Sequence, residues 1–414
     1  SRATGRLGVP VRSGRSVRPD PAPGRPSPVR RGASPGWLTL AFLWGLGTVA
    51  RGILITVLPL TALRVFHDAQ AVSEVYFGTS LTALAFTLGT PWLIGRLGKR
   101  RVFILGCLLL ALSAGLIALE APLLVLAGMV LQLWGVLGVE IPLSLYVLDH
   151  VARRDLVRFE PIRLVMAAGP WTVGPWLGVT MQENLASWSP FALSAGAAFV
   201  LLGCFLALGL ADRVAAPTRP RPVSPLRLIP RFVRQPRLRL AWVLAFGRSG
   251  WWYMFFIYAP IYCVTSGLGA EVSGAVVSLG SAGIFAAPLW GWVARRVGLR
   301  RHMTAAYALG GAATFAVALV AGLPWLAALL LLCACAVVSA IDGAGNTLFL
   351  RAVRPLERAE MTAVFMMYRD TSQLVIPGFY AILLLVLPLP FVFVTSGLVT
   401  AALALFARYI PRRM

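Results

Sequence analysis

"GRLGKRR" (residues 95–101) interrupts an apolar stretch that would otherwise be continuous, and "RRVGLRR" (295–301) interrupts another one 200 residues later. Each sets a glycine among basic residues. That is short enough to reverse the chain and too charged to stay in hydrocarbon. The surrounding sequence decides what these clusters are. Of 414 residues 58% are hydrophobic and 13% charged, with a mean hydropathy of +0.79. A soluble chain of this length needs about twice that charged share to cover its surface. The chain therefore reads as an integral membrane protein, and each basic cluster as a turn at the membrane surface.

Working outward from the two turns, twelve apolar segments emerge: 37–62, 74–94, 102–119, 122–148, 163–182, 190–210, 240–264, 272–294, 303–321, 324–350, 361–386 and 388–407. Most reach the ~20 residues that a helix needs to cross hydrocarbon, and a spanning helix satisfies its own backbone hydrogen bonds. All basic residues outside these spans except Arg64 fall in residues 1–36, in the even-numbered loops or at the C-terminus. Both termini are therefore expected in the cytoplasm. The expected organisation is a disordered basic tail (1–36), a six-helix bundle (37–210), a Pro- and Arg-rich cytoplasmic linker (211–239), a second six-helix bundle (240–407) and a cytoplasmic C-terminus (408–414).

Shifting the chain by 200 residues tests for a repeat. Trp92, Arg96, Gly98, Arg100 and Arg101 fall on Trp292, Arg296, Gly298, Arg300 and Arg301. "ARRDLVRFE" (152–160) falls on "AVRPLERAE" (352–360) with Ala, Arg, Leu, Arg and Glu coincident. The basic turn occurs twice because the six-helix unit does. Two such halves, with a glycine-basic turn after the second helix of each, resemble the major facilitator superfamily. Its loop signature reads roughly G-x-L-A-D-R-x-G-R-R. "PWLIGRLGKR" (91–100) keeps Arg96, Gly98, Lys99 and Arg100, with Gly95 at the Asp position; "GWVARRVGLR" (291–300) keeps Gly291, Arg296, Gly298 and Arg300, with Arg295 there. The resemblance implies an all-α membrane protein of twelve transmembrane helices in two pseudo-symmetric bundles, a transport function, and a gating role for the two turns. In the fifth span, "GPWTVGPWLGV" (169–179) is similar to the G-P-x-x-G-G stretch of drug-efflux antiporters at Gly174, Pro175 and Gly178, with Val179 in the last place. Where many proton-coupled members carry an Arg in the fourth span, this chain has Leu131 and Gln132.

Charges at bilayer depth cost roughly 2.5–3.5 kcal/mol each, so they face a cavity or one another. Six are expected: Arg51, Glu140, Arg248, Asp342, Arg369 and Asp370. Arg51 and Arg248 stand on the first helix of each half, and Glu140 and Asp342 on the fourth, so the expected pairs are Arg51 with Glu140 and Arg248 with Asp342. A carboxylate at low dielectric can exchange its guanidinium for a proton, which makes Glu140, Asp342, Arg369 and Asp370 the candidates for proton coupling. The candidates for substrate binding are Arg51, Arg248, Gln132 and Asn346, with Trp252 and Tyr258 from an aromatic-rich seventh span. Pro59 and Pro260 mark candidate bends.

The five cysteines lie in apolar runs and the three histidines are scattered, so no metal site, cofactor or enzyme activity is expected. The net charge of +23 comes in bursts between spans rather than on one face, which argues against nucleic acid. The expectation is a monomeric secondary transporter with alternating access, exporting a small organic molecule in exchange for protons. It would sit in a bacterial inner membrane, its basic loops meeting anionic headgroups. Two alternatives stay open: uptake or exchange of an organic anion at Arg51 and Arg248, and a non-transporting receptor or assembly factor on the same fold.

Overall fold

The computed structural model describes residues 37–151, 153–210, 225–344, 347–354 and 357–411. The basic tail (1–36), the first part of the linker (211–224) and Asn346 lie outside the described residues. All twelve expected spans are helical. Span 1 is two helices, Trp37–Gly52 and Leu54–Phe66; spans 2 to 6 are Ala69–Leu97, Lys99–Ile117, Pro122–His150, Arg153–Asn184 and Ser189–Ala207. Span 7 is Pro236–Thr265. Span 8 runs through Ala270–Ser281, a 3-10 turn Ala282–Ala286 and Ala287–Val297, and span 9 is Leu299–Leu319. Span 10 comprises Pro324–Ala344 and Thr347–Ala352, followed by span 11, Arg358–Leu383, and span 12, Pro390–Ala407. Nine helices among the described residues are long and apolar enough to cross a membrane. Spans 5, 7 and 11 are also long, but Gly, Pro, Trp and charged residues lower their hydropathy.

The two turns that open the sequence argument are alike in atomic detail. Gly98 has φ 84° and ψ 157°, Gly298 φ 90° and ψ 138°, a region that side chains other than hydrogen rarely enter. Gly98 donates to the Ile94 carbonyl (2.9 Å) and Gly298 to that of Ala294 (3.0 Å), so each closes one helix and starts the next. Beside them Arg96 lies over the Trp92 ring at 4.8 Å and Arg296 over Trp292 at 4.1 Å. Lys99 forms an ion pair with Asp149 at the end of span 4. A carboxylate from a neighbouring helix thus takes the place of the Asp that the hairpin itself lacks. The second half has no equivalent of this pair, since Leu299, a buried residue, stands where the first half has Lys99.

Helix packing repeats between the halves. Span 1 packs on 5 and 6 as span 7 packs on 11 and 12; span 3 packs on 4 and 6 as span 9 packs on 10 and 12. The halves meet through spans 5 and 8, spans 2 and 11, and the second helix of span 1 against span 7. The cross-half hydrogen bonds cluster toward the end that carries the odd-numbered loops: Ser73 with Tyr258 (2.7 Å), the Trp176 N–H to Ser278 (2.8 Å) and the Asn184 amide to Glu271 (2.6 Å). Gly174 and Gly178 bring span 5 against the break in span 1. A Cβ on Gly174 would lie 2.6 Å from the Gly52 carbonyl carbon, and one on Gly178 2.1 Å from the Ile53 oxygen. Span 1 breaks at Ile53, beside this contact, and not at Pro59, which sits within its second helix. Pro260 likewise lies inside an unbroken span 7.

The linker differs from expectation. Its later part forms a short helix, Pro225–Val233, with Phe232 buried, because its apolar residues find a surface on the second half. Arg231 reaches Glu357 (2.6 Å) and Glu360 (3.7 Å), and Gln235 donates to Glu357 (3.2 Å). Hydrogen bonds from Arg231 and Gln235 hold the Glu357 carboxyl below its ordinary value. A depressed carboxyl stabilises the dock above its unfolded pKa, and that contribution is lost as pH falls through the depressed folded value. Protection of the amides over 225–235 is therefore expected to fall only at strongly acid pH in the wild type, and to be reduced already at neutral pH in Glu357→Gln. Separately, Gly98→Ala and Gly298→Ala should each lower stability by about 1–3 kcal/mol in detergent unfolding, the cost of placing a Cβ at such dihedrals.

Candidate functional site

Five of the six intramembrane charges meet in the middle of the molecule, and the two expected pairs both form. Arg51 Nη1 lies 2.5 Å from Glu140 Oε1, and Arg248 Nε lies 3.3 Å from Asp342 Oδ1. Each pair joins the first span of its half to the fourth. Each arginine also lines a cleft in its own half. Arg51, Thr48, Trp44, Leu110 and Glu140 border a tightly packed crevice between spans 1, 3 and 4. Arg248, Met303, Tyr307 and Ile341 border another between spans 7, 9 and 10. The two half-sites occupy corresponding helices, although Arg51 and Arg248 lie 197 residues apart and Glu140 and Asp342 lie 202 apart, out of the 200-residue register of the turns.

The half-sites are not equally open. The side chains of Arg51 and Glu140 are 26% and 36% exposed, whereas Arg248 is 10% and Asp342 31% exposed. Glu140 has the single ion-pair partner Arg51 among the described residues. Asp342 also accepts from Trp252 Nε1 (2.8 Å), while Arg248 donates to the Tyr368 hydroxyl (3.0 Å) and lies over its ring at 5.7 Å. The two carboxylates are similarly exposed; what differs is that Arg248 is more enclosed than Arg51 and that the second pair is cross-braced.

An aromatic path joins them across the halves. Arg51 lies over the Trp171 ring at 5.2 Å; Trp171 contacts Phe256 at 5.5 Å; Phe256 stacks on Trp252 at 5.5 Å and 23°; Trp252 then holds Asp342. Span 7 turns Trp252, Tyr253 and Phe256, all half-buried, to this side, and buries Trp251, Phe255 and Tyr258. Tyr253 donates to Gln373 (3.1 Å) and Ser249 pairs with Ser372 (2.6 Å), fastening span 7 to span 11.

Arg369, in mid-helix on span 11, is exposed although the charges of Glu140 from one half and Asp342 from the other act on it. Among the described residues it has no carboxylate within ion-pair distance; it donates to the Tyr368 hydroxyl (3.3 Å) and lies over that ring at 6.0 Å. Asp370, the next residue, is half-buried without a described hydrogen bond.

Two expected lining residues lie elsewhere. Gln132 is 4% exposed and accepts from Ser113 (2.5 Å), a contact that ties span 4 to span 3 away from the cleft. Tyr258 is fully buried and spends its hydroxyl on Ser73 in the cross-half seam. In both cases the side chain turns to the packed side of its helix. Asn346 lies outside the described residues. Trp171 and Tyr368 belong to the site although the sequence does not single them out. Their only sequence signals are a Trp beside the Gly174/Pro175 stretch and a Tyr adjoining an intramembrane Arg.

Residues 40–377 match the Major Facilitator Superfamily. Solved structures share the architecture at low identity. The nucleoside transporter NupG is 14% identical with a TM-score of 0.72, over 90% of this chain and 98% of that one. A POT family transporter in complex with a thioalcohol-conjugated peptide is 15% identical with a TM-score of 0.73, over 89% and 94%. A peptide transporter POT in complex with sulfate is 18% identical with a TM-score of 0.69, over 90% and 93%. No curated protein sequence matches the chain.

Removing one partner of an enclosed ion pair strands the other charge, at about 3–5 kcal/mol; an accessible pair gives up far less because water replaces the partner. Asp342→Asn should therefore lower the unfolding temperature in detergent markedly, and Glu140→Gln only slightly. Equal losses would contradict this difference between the half-sites.

Proposed function

The chain belongs to the Major Facilitator Superfamily, and from that premise we propose that it is a secondary active transporter whose two bundles rock about the midplane cavity, exporting a small organic molecule in exchange for protons. The observation that carries the reading is the Arg51–Glu140 pair, more exposed and without a second described hydrogen bond on its carboxylate, set against the Arg248–Asp342 pair, in which Arg248 is 10% exposed and Trp252 also holds the carboxylate. In an alternating-access cycle the coupling group must meet both the proton and the substrate, so it belongs in the open half-site. Glu140 faces Arg51 from span 1, within reach of the charge of Arg369 from span 11 and near Tyr253 of span 7. Its protonation frees Arg51; its deprotonation restores the pair. Asp342, held by Arg248 and Trp252, stiffens the second half.

Orientation follows from the charge bias. The even-numbered loops carry the arginines and face the cytoplasm, so the packed seam lies on the outer side. Exposed Arg227, Arg234, Arg237 and Arg239 on and after the linker helix then meet anionic headgroups. The export direction draws support from Gly174, Pro175 and Gly178. These residues seat span 5 against span 1, and Gly274 of span 8 lies against Pro175 and Trp176, so the efflux-like stretch builds the outer seal. The anion-exchange alternative is less favoured, because Arg51 and Arg248 both already hold a carboxylate.

In proteoliposomes, pH-gradient-driven accumulation should disappear in Glu140→Gln while substrate exchange at equal pH persists, since exchange needs no net proton movement. Wild-type pH dependence in that variant would overturn the coupling assignment.

A further inference from the structure

Between Pro225 and Arg239 the chain carries five arginines and no acid, yet it is folded down onto the second half. The pattern of the short helix explains how. Leu228, Ile229 and Phe232, at i, i+1 and i+4, form one face, with Phe232 buried and the other two half-buried. Arg227, Pro230, Arg231 and, just past the helix end, Arg234 are exposed. Arg231 meets Glu357 at 2.6 Å and Glu360 at 3.7 Å, and Gln235 donates to the other Glu357 oxygen at 3.2 Å. Arg227, Arg234, Arg237 and Arg239 are exposed and have no ion pair among the described residues. The dock has no copy in the first half, where Val157 stands at the repeat position of Glu357. Its level is set from two sides. Helix Pro236–Thr265 begins directly after Gln235, and its apolar run starts at 240; at 1.5 Å per residue Arg237 and Arg239 stand within about 5 Å of that run. Glu357 is the residue before helix Arg358–Leu383. The arginines are therefore held where two spans enter the membrane, at the depth of the headgroups.

We infer that the docked linker is a binding surface for anionic phospholipid headgroups, and that such lipid holds residues 225–235 in the docked position. This rests on the cytoplasmic orientation in the proposed function and adds to it a partner that regulates the linker. Docking removes an opposing charge: Arg231 and Gln235 cover the Glu357 carboxylate, whose side chain is 13% exposed, so an acid that would repel a phosphate is masked. Docking also orders the ligands. The buried Phe232 fixes the flanking arginines to a folded surface, whereas a released chain has to order them anew at a cost in conformational entropy. A headgroup phosphate therefore binds the docked form better than the released one, and by mass action it stabilises the dock. A basic residue near an anionic leaflet gains a factor of about five, so four unpaired arginines suffice even when each is only partly engaged.

The test is amide exchange over 225–235 in the full chain, in nanodiscs of phosphatidylcholine alone and of equal parts phosphatidylcholine and phosphatidylglycerol, at matched pH and salt. Exchange should be slower by at least about threefold in the phosphatidylglycerol discs, and the difference should shrink as salt is raised. The double variant Arg227→Gln, Arg234→Gln should keep the dock in phosphatidylcholine and lose most of that difference, since the dock's ion pairs are made by Arg231. Arg231→Gln should release the segment in both lipids. Inorganic phosphate and heparin, each added to the phosphatidylcholine discs, test for a free anion and for a soluble polyanion. Equal exchange in the two lipids, or a slowing by phosphate or heparin that matches the one by phosphatidylglycerol, overturns the inference. Either result leaves the proton-exchange reading standing, since that reading fails only on the pH dependence of Glu140→Gln.

Discussion

A charge carried into a membrane must be neutralised by the protein that carries it, and the pairing of Arg248 with Asp342 shows how far this chain's interior is arranged around that requirement. The arginine is 10% exposed and held by a carboxylate from span 10, a tyrosine hydroxyl from span 11 and the face of the same tyrosine ring. The carboxylate is fixed in turn by Trp252 of span 7. Three helices of the second half are thereby tied at one level. The first half has the same plan with fewer braces: Arg51 meets Glu140, and Trp171 supplies the only described ring over that guanidinium. Both halves thus place an arginine on the first helix and an acid on the fourth, with more braces in the second half than in the first.

Much of this architecture could be read from the sequence, for reasons that differ by feature. The turns at Gly98 and Gly298 were legible because backbone with positive φ, placed at a membrane surface, demands glycine and basic residues together. The ion pairs were legible because the cost of a charge in hydrocarbon leaves very few of them, and equivalent helices in two halves restrict who can meet whom. The lining of the cavity was much less so. Each residue turns a helix by about 100°, so from sequence alone a residue on the cavity face cannot be told from one on the packed face. Tyr258 and Gln132 turn to the packed side of their helices, while Trp252 turns toward Asp342. The Lys99–Asp149 pair was hidden for a different reason: its carboxylate comes from a helix 50 residues away, so the local pattern shows only a missing Asp.

The two kinds of contact, within halves and between them, differ in strength in a way that suits a moving pair of bundles. Inside each half the midplane ties are ion pairs. Between halves the seam rests on hydrogen bonds between Tyr258 and Ser73, from Trp176 to Ser278 and from Asn184 to Glu271, and on small residues such as Gly274 and Gly378 that admit the opposing helix or ring. A net hydrogen bond contributes about 0.5–1.5 kcal/mol, so three of them make a seam of a few kcal/mol. That is strong enough to favour one state and weak enough for a ligand with differential affinity to shift. Cross-half ion pairs of the enclosed kind would raise the cost of parting well beyond what binding a small molecule returns. The aromatic path from Trp171 to Trp252 is the exception that matters, for it crosses between the halves where the two half-sites face each other. Stacked rings can slide and separate without stranding a charge, so the one midplane link between the bundles is also one that they can break without leaving a buried ion behind.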